Sequence, residues 1–155
     1  MKIIIAGAGD VGFHLAKLLA NEDHDIVLID ISQEKLQYAT DHLDVATVKG
    51  KSTAYETLRK ANIDQADLLI CVTSFEENNL MTALIGKKLG AARTIARVSN
   101  TGFLCEEQRN DLKTMGVDEI ISPETLAAKE IKRLLKEAAT TDVFDFESGK
   151  LSLIG

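Results

Sequence analysis

The chain of 155 residues has no tryptophan, one proline, two cysteines and only 5% aromatic residues. The one proline, Pro123, leaves no proline-rich linker, and the length suits a single domain on the usual scale of roughly 100–200 residues. Cys71 and Cys105 stand far apart, without C-x-x-C spacing or a neighbouring histidine. That pattern excludes a zinc-ligand set, and both are read as small buried hydrophobes. Long apolar runs are missing too. None reaches the ~18 residues of a membrane span, and "MKIIIAGAGD" lacks the long core and cleavage site of a signal peptide. A cytoplasmic protein without direct membrane insertion is expected. Basic residues are outnumbered, 18 against 24 acidic ones, for a net charge of -6. This balance opposes the phosphate neutralisation on which nucleic-acid binding depends, so nucleic acid is not an expected partner.

What is present is globular: 45% hydrophobic and 27% charged residues, enough to bury a core. Short apolar β-rich runs at Lys2–Ala6, Ile26–Asp30, Val45–Val48, Asp67–Val72, Thr94–Val98 and Glu119–Ser122 alternate with stretches of helical period. The alternation predicts an α/β fold, a Rossmann-like doubly wound parallel six-stranded sheet covered by helices on both faces. Val11, Leu15, Leu18 and Leu19 place an apolar stripe on a helix from about Asp10 to Ala20, and Leu80, Met81, Leu84, Ile85 and Leu89 repeat it. Thr53 with Glu56, and Ser74 with Glu77, have the spacing of capping boxes and predict helix starts. Ser122 before Pro123 predicts another, for a helix striped by Leu126, Ile131, Leu134 and Leu135. After about residue 139 the pattern becomes alternating strand material with a turn at Ser148-Gly149.

The first strand runs into GAGDVG, residues Gly7, Ala8, Gly9, Asp10, Val11 and Gly12. In G-x-G-x-x-G the first glycine allows the tight turn, the second lets a pyrophosphate approach the backbone, and the third lets helix and strand pack closely. The helix N-terminus behind the loop offers free N–H groups to phosphate. Asp30 ends the second strand, where a carboxylate can accept hydrogen bonds from both ribose hydroxyls and repel a 2′-phosphate. The pattern therefore points to NAD(H) or an adenosine nucleotide. The plainer alternative is a turn kept for packing, with Asp30 capping the next helix. Thr73 and Ser74 follow the fourth strand and Gly50, Lys51 and Ser52 the third, at the carboxyl ends where such sheets bind ligands. Arg97, in the apolar run "TIARVS", is costly to bury unless it reaches a ligand phosphate or a carboxylate such as Asp30 or Glu77.

No catalytic group stands out. His14, His24 and His42 read as surface or packing residues away from strand carboxyl ends, and Glu76-Glu77 as acids placed at a helix dipole. Six strands and their helices fill about 140 residues, which leaves no room for a substrate domain. A binding module is expected, with the coenzyme domain of an NAD-dependent dehydrogenase as the alternative.

The stretches "MKIIIAGAGDVG", "IVLIDISQEKL", "VKGKSTAYETLRKANIDQADLLICVTSFEENNLMTALIGKKLG", "TIARVSN" and "GVDEIISPETLAAKEIKRLL" resemble, in family order, the RCK (KTN, TrkA-N) domain of Trk-type potassium-uptake regulators. The resemblance covers about Met1 to Leu135. It implies a non-enzymatic regulatory subunit that binds NAD(H) or ATP/ADP and gates a Trk- or Ktr-like membrane potassium transporter, as a homodimer or larger ring peripheral to the inner face of the membrane. By position it implies Gly7 to Val11 as the phosphate loop, Asp30 for the ribose, Thr73 and Ser74 beside the ligand, and Arg97 for phosphate, with Asn79 on a matching helix position. Lys51 departs from the family, many of whose members carry Asp there. The resemblance further implies that residues 1–139 form the nucleotide-binding domain, ending in a crossover helix, and that 140–155 lead toward a further ligand domain.

Overall fold

In the computed structural model, which describes residues 1–139, 143–146 and 151–154, the chain divides into two compact units, Met1–Ser122 and Pro123–Gly155. The first unit contains six strands: β1 (Lys2–Ala6), β2 (Asp25–Asp30), β3 (Ala46–Lys49), β4 (Leu68–Cys71), β5 (Arg93–Arg97) and β6 (Glu119–Ile121). They form one sheet in the order β3-β2-β1-β4-β5-β6, and every neighbouring pair is parallel. This is the doubly wound arrangement the alternation predicts, with strand limits moved by no more than a residue or two. The order reverses beside β1, so the chain leaves β1 and β4 in opposite directions and opens a crevice at their carboxyl ends.

Five helices cover this sheet: α1 (Asp10–Ala20), α2 (Gln33–His42), α3 (Tyr55–Lys60), α4 (Glu76–Leu89) and α5 (Glu106–Met115). Side chains alternate along a strand, so β1 feeds two cores. Ile3 and Ile5 pack with Ala16 of α1 and Leu36 and Ala39 of α2, whereas Ile4 and Ala6 pack with Leu58 of α3 and Ala83 of α4. The expected stripes are met in part: Leu15 and Leu19 pack against one core, and Leu80, Leu84, Ile85 and Leu89 against the other. In α1 the buried positions are Gly12 and Ala16, while Val11 and Leu18 are exposed. In α4 they are Asn79, Thr82, Ala83 and Gly86, with Met81 exposed. Small residues lie against the strands because the helices pack close, and the larger apolar groups are displaced to the flanks.

Neither expected capping box forms. Helix α3 starts after Ala54 and α4 after Phe75, both without a side-chain cap, so Thr53 and Ser74 lie in the preceding loops. Ser32 does cap α2, its hydroxyl accepting from the Lys35 amide at 3.3 Å. Cys71 is buried as expected, whereas Cys105 is exposed, at the cap position of α5 rather than in a core. His42 lies at the end of α2.

The second unit holds α6 (Pro123–Ala139) and a pair of strands, β7 (Val143–Phe146) and β8 (Leu151–Ile154). The strands run antiparallel, with Val143 opposite Ile154 and Phe146 opposite Leu151. The turn expected at Ser148-Gly149 lies outside the described residues. Helix α6 begins at the expected Pro123, and Leu126, Ile131, Leu134 and Leu135 are exposed on it. Among the described residues no helix is long and apolar enough to cross a membrane.

Candidate functional site

The loop leaving β1 is shaped by its neighbours. Gly7 has φ +111°, and a Cβ there would sit 2.9 Å from the Thr73 nitrogen and from the Val72 carbonyl. Only glycine suits both the left-handed backbone and the close approach to the end of β4. Gly12 is fixed from the other side, because its Cβ would collide with the Gly7 carbonyl oxygen. Gly9 is different. Its φ of −74° suits any residue, and a Cβ there meets no atom within 4 Å. The space over Gly9, at the N-terminus of α1, is left open by the fold.

Asp30, at the end of β2, ties that loop down. One carboxylate oxygen accepts from the Ala8 amide at 2.8 Å and the other from the Ser32 amide at 2.8 Å. The plainer reading of Asp30 is thus met in part, since the carboxylate organises both the glycine loop and the approach to α2. Each oxygen keeps acceptor capacity for a further donor. The Asp30 carbonyl also accepts from the Gly50 amide at 2.9 Å, which brings the segment after β3 alongside. Ser52 is held there by the Thr82 hydroxyl, 3.0 Å from its Oγ.

The far wall is organised by a residue that local sequence patterns miss. Asn79 is 1% exposed. Its side-chain oxygen accepts from the Thr73 amide (2.8 Å) and hydroxyl (2.7 Å), and its nitrogen donates to the carbonyls of Thr73 (3.1 Å) and Arg97 (3.0 Å). One side chain therefore pins the ends of β4 and β5 together. Glu76 works beside it, its Oε2 accepting from the amides of Ser99 (2.7 Å) and Asn100 (2.8 Å). That contact, rather than a helix dipole alone, accounts for an acid at this position.

Two adjoining crevices result. The first, of about 460 Å³, is lined by Gly7, Gly9, Asp30, Gly50, Lys51, Ser52, Thr73 and Ser74, all expected, and by Ile31, Ser32, Lys35, Thr53, Phe75 and Asn78, which were not. The second, of about 750 Å³, takes in Ala8, Gly9, Asp10, Val11, Ser74 and Arg97 together with Phe13, His14, Glu34 and Tyr38. Arg97 and Asp30 thus serve different crevices, while Gly12 lines neither and supports the loop from behind. Ser32 and Lys35 carried one sequence signal, a serine three residues before a first-turn residue of a helix. His14, expected as a surface or packing residue, stands at the second crevice. Burial pushes the Cys71 thiol far above its ordinary pKa, so the thiol beneath the site is not a nucleophile. No group of three or more potential metal-ligating residues forms among the described residues.

A parallel sheet whose glycine loop, open helix N-terminus and strand-end carboxylate meet at the switch point defines the doubly wound class of nucleotide-binding domains. Comparison with known proteins narrows the class. The TrkA-N domain model matches residues 3–123, and the chain belongs to that family. It is 37% identical over 158 residues to the Trk system potassium uptake protein TrkA of Azorhizobium caulinodans, covering all of this chain and 34% of that protein. It is 31% identical to a TrkA homolog of Methanothermobacter thermautotrophicus, covering 99% of this chain and 69% of the homolog. The chain therefore spans only about a third of the Azorhizobium protein. Among solved structures, the GsuK channel bound to NAD superposes with a TM-score of 0.70 at 28% identity, over 88% of this chain and 23% of that one. GsuK has also been solved bound to ADP.

Proposed function

We propose that this chain is the nucleotide-sensing part of a potassium-uptake regulator, binding NAD(H) or ADP/ATP in the crevice between Gly9, Asp30 and Thr73. The observation that carries the reading is the pairing of Gly9 and Asp30. The fold leaves open the space where a phosphate would meet the amides of α1, and it fixes a carboxylate where ribose hydroxyls would follow. The names of the relatives and the nucleotides bound to GsuK support the same reading. In it, Gly7 to Val11 form the phosphate loop, Asp30 holds the ribose, and Lys51, Ser52, Thr73 and Ser74 border the ligand. Arg97, in the second crevice, meets a phosphate or the distal half of a dinucleotide.

The role is regulatory rather than enzymatic. A ligand shifts a transporter only if it binds two conformations of the regulator unequally, and the partner is a membrane potassium transporter of the Trk or Ktr kind, met from the cytoplasmic side by a homodimer or larger ring. Residues 1–139 supply the nucleotide-binding part, and 140–155 lead toward a further ligand domain. Mass spectrometry of the molecule released from purified protein, followed by calorimetry with NAD, NADH, ADP and ATP, tests this reading. Stoichiometric binding without turnover is expected. Absence of heat with all four would overturn the proposal, and steady NADH oxidation with any small carbonyl substrate would favour the dehydrogenase alternative, with His14 as the group to examine.

A further inference from the structure

Asn79 is an unusual residue for its place. It lies on the buried face of α4, where Ala or Leu would serve both packing and helix propensity better. Its four hydrogen bonds, to the amide, hydroxyl and carbonyl of Thr73 and to the Arg97 carbonyl, offset the cost of burying the amide. The side chain lines neither crevice. Whatever it does for a ligand, it does through Thr73 and Arg97.

Those two residues serve different crevices, Thr73 the first and Arg97 the second. The ladder between β4 and β5 ends with Cys71 opposite Ala96. Beyond that point Asn79 ties the two chain segments together, accepting from the extension of β4 and donating to the end of β5. Glu76 extends the grip. Its Oε2 holds the Ser99 and Asn100 amides at 2.7 and 2.8 Å, and it too lies outside both crevices. The start of α4 thus fixes the exit of β5, while Thr73 and Ser74, which lead into that helix, border the first crevice.

Only a ligand that enters both crevices reads this arrangement. The adenosine monophosphate half of a nucleotide meets Asp30 and Gly9 in the first crevice, and a dinucleotide continues past Gly9, which lines both, toward Arg97. We infer that Asn79 and Glu76 are positioning residues that set the place of Arg97 relative to the first crevice, and thereby determine the preference for a dinucleotide over a mononucleotide. The inference deepens the nucleotide reading and rests on it.

Calorimetry with NAD and AMP tests it. Asn79→Asp keeps an oxygen to accept from Thr73 and removes the nitrogen that donates to the two carbonyls. Glu76→Ala removes the hold on Ser99 and Asn100 at a residue that is only partly buried, so it carries the test alone if Asn79→Asp does not fold. Each variant is expected to lower the affinity for NAD about 10-fold and that for AMP by less than about 2-fold. Arg97→Gln should reproduce the selective loss, and Asn79→Asp added to it should move the NAD-to-AMP ratio no further, because the residue being positioned is gone. A purely structural role would lower both affinities by one factor. An unchanged ratio in either single variant, or a full further change in the Arg97→Gln background, overturns the inference while the nucleotide reading stands. Failure of the wild-type protein to bind either AMP or NAD overturns both.

Discussion

Two aspartates at opposite ends of the sheet are built from similar parts and left in different states. Asp118, just before β6, accepts from the Lys87 ammonium at 2.8 Å and from the Thr94 amide at 2.8 Å. Lys87 reaches on to the Ala92 carbonyl, and the Thr94 hydroxyl to the Gly116 carbonyl, so charge and hydrogen bonds close on themselves. Asp30, at the carboxyl end of β2, has backbone amides but no ion-pair partner among the described residues. Lys35 and Lys51 line the same crevice and are also without one. Where the strands begin, polar groups staple the sheet. Where they end, polar groups are arranged and remain available, which is what a ligand site at a topological switch point requires.

The comparison breaks most sharply at the glycines. Gly12→Ala drives a methyl into the Gly7 carbonyl, and overpacking of this kind against backbone is expected to cost about 3 kcal/mol or more. A large drop in the urea midpoint should follow. Gly9→Ala has open space and an ordinary φ, so its midpoint should match wild type or rise slightly, while its methyl occupies the position proposed for the pyrophosphate and abolishes most nucleotide binding. Equal stability losses in the two variants would show that the loop is only a packed turn.

Asp30→Ala comes next. Losing a charge-assisted ribose contact is expected to weaken NAD and ADP binding by about 1.5–3 kcal/mol. Loss of the Ala8 and Ser32 hydrogen bonds adds a smaller fall in stability, about 1 kcal/mol. Calorimetry beside a denaturation curve separates the two. A stability loss with intact affinity would assign Asp30 to the loop alone.

The same division explains what the sequence reveals. The sheet is legible because strands buried on both faces must be short apolar runs, and Gly7, Gly12 and Asp30 are legible because a β-loop-α turn leaves few residue choices. The starts of α3 and α4 are not. Thr53 and Ser74 have capping-box spacing, but the loops they occupy are set by long-range contacts: Asn79 to Thr73 and Arg97, Glu76 to Ser99 and Asn100, and Thr82 to Ser52. No local pattern encodes a side chain that reaches a neighbouring strand. Ile31 and Phe75 escape for the opposite reason, because apolar residues beside a strand end read as core until the fold leaves them uncovered. Cys105 departs from the burial usual for a free cysteine, because it stands exposed at the N-terminal cap position of α5 without a side-chain cap.

The smallest expected effect lies at the closed end, and its pH dependence identifies it. Burial alone pushes the Asp118 pKa up, but the hydrogen bond from Lys87, the Thr94 amide and the Lys87 charge together outweigh burial and hold the carboxyl below its usual value. A carboxyl with a lowered folded-state pKa contributes stability that is complete above the unfolded value of about 3.9 and is lost as pH falls through the folded one. Urea midpoints of the wild type should therefore fall between about pH 5 and pH 2, in part through Asp118. Lys87→Met should reduce stability at pH 7 by about 1 kcal/mol, the upper range for a partly exposed pair, and Asp118→Asn should flatten the acid limb. The Lys87→Met deficit should shrink as pH falls and the partner carboxyl takes up its proton. A deficit that stays constant down to pH 2 would mean that the Lys87 chain stabilises by packing and by its bond to the Ala92 carbonyl, and the contrast with Asp30 would then rest on hydrogen bonds instead of charge.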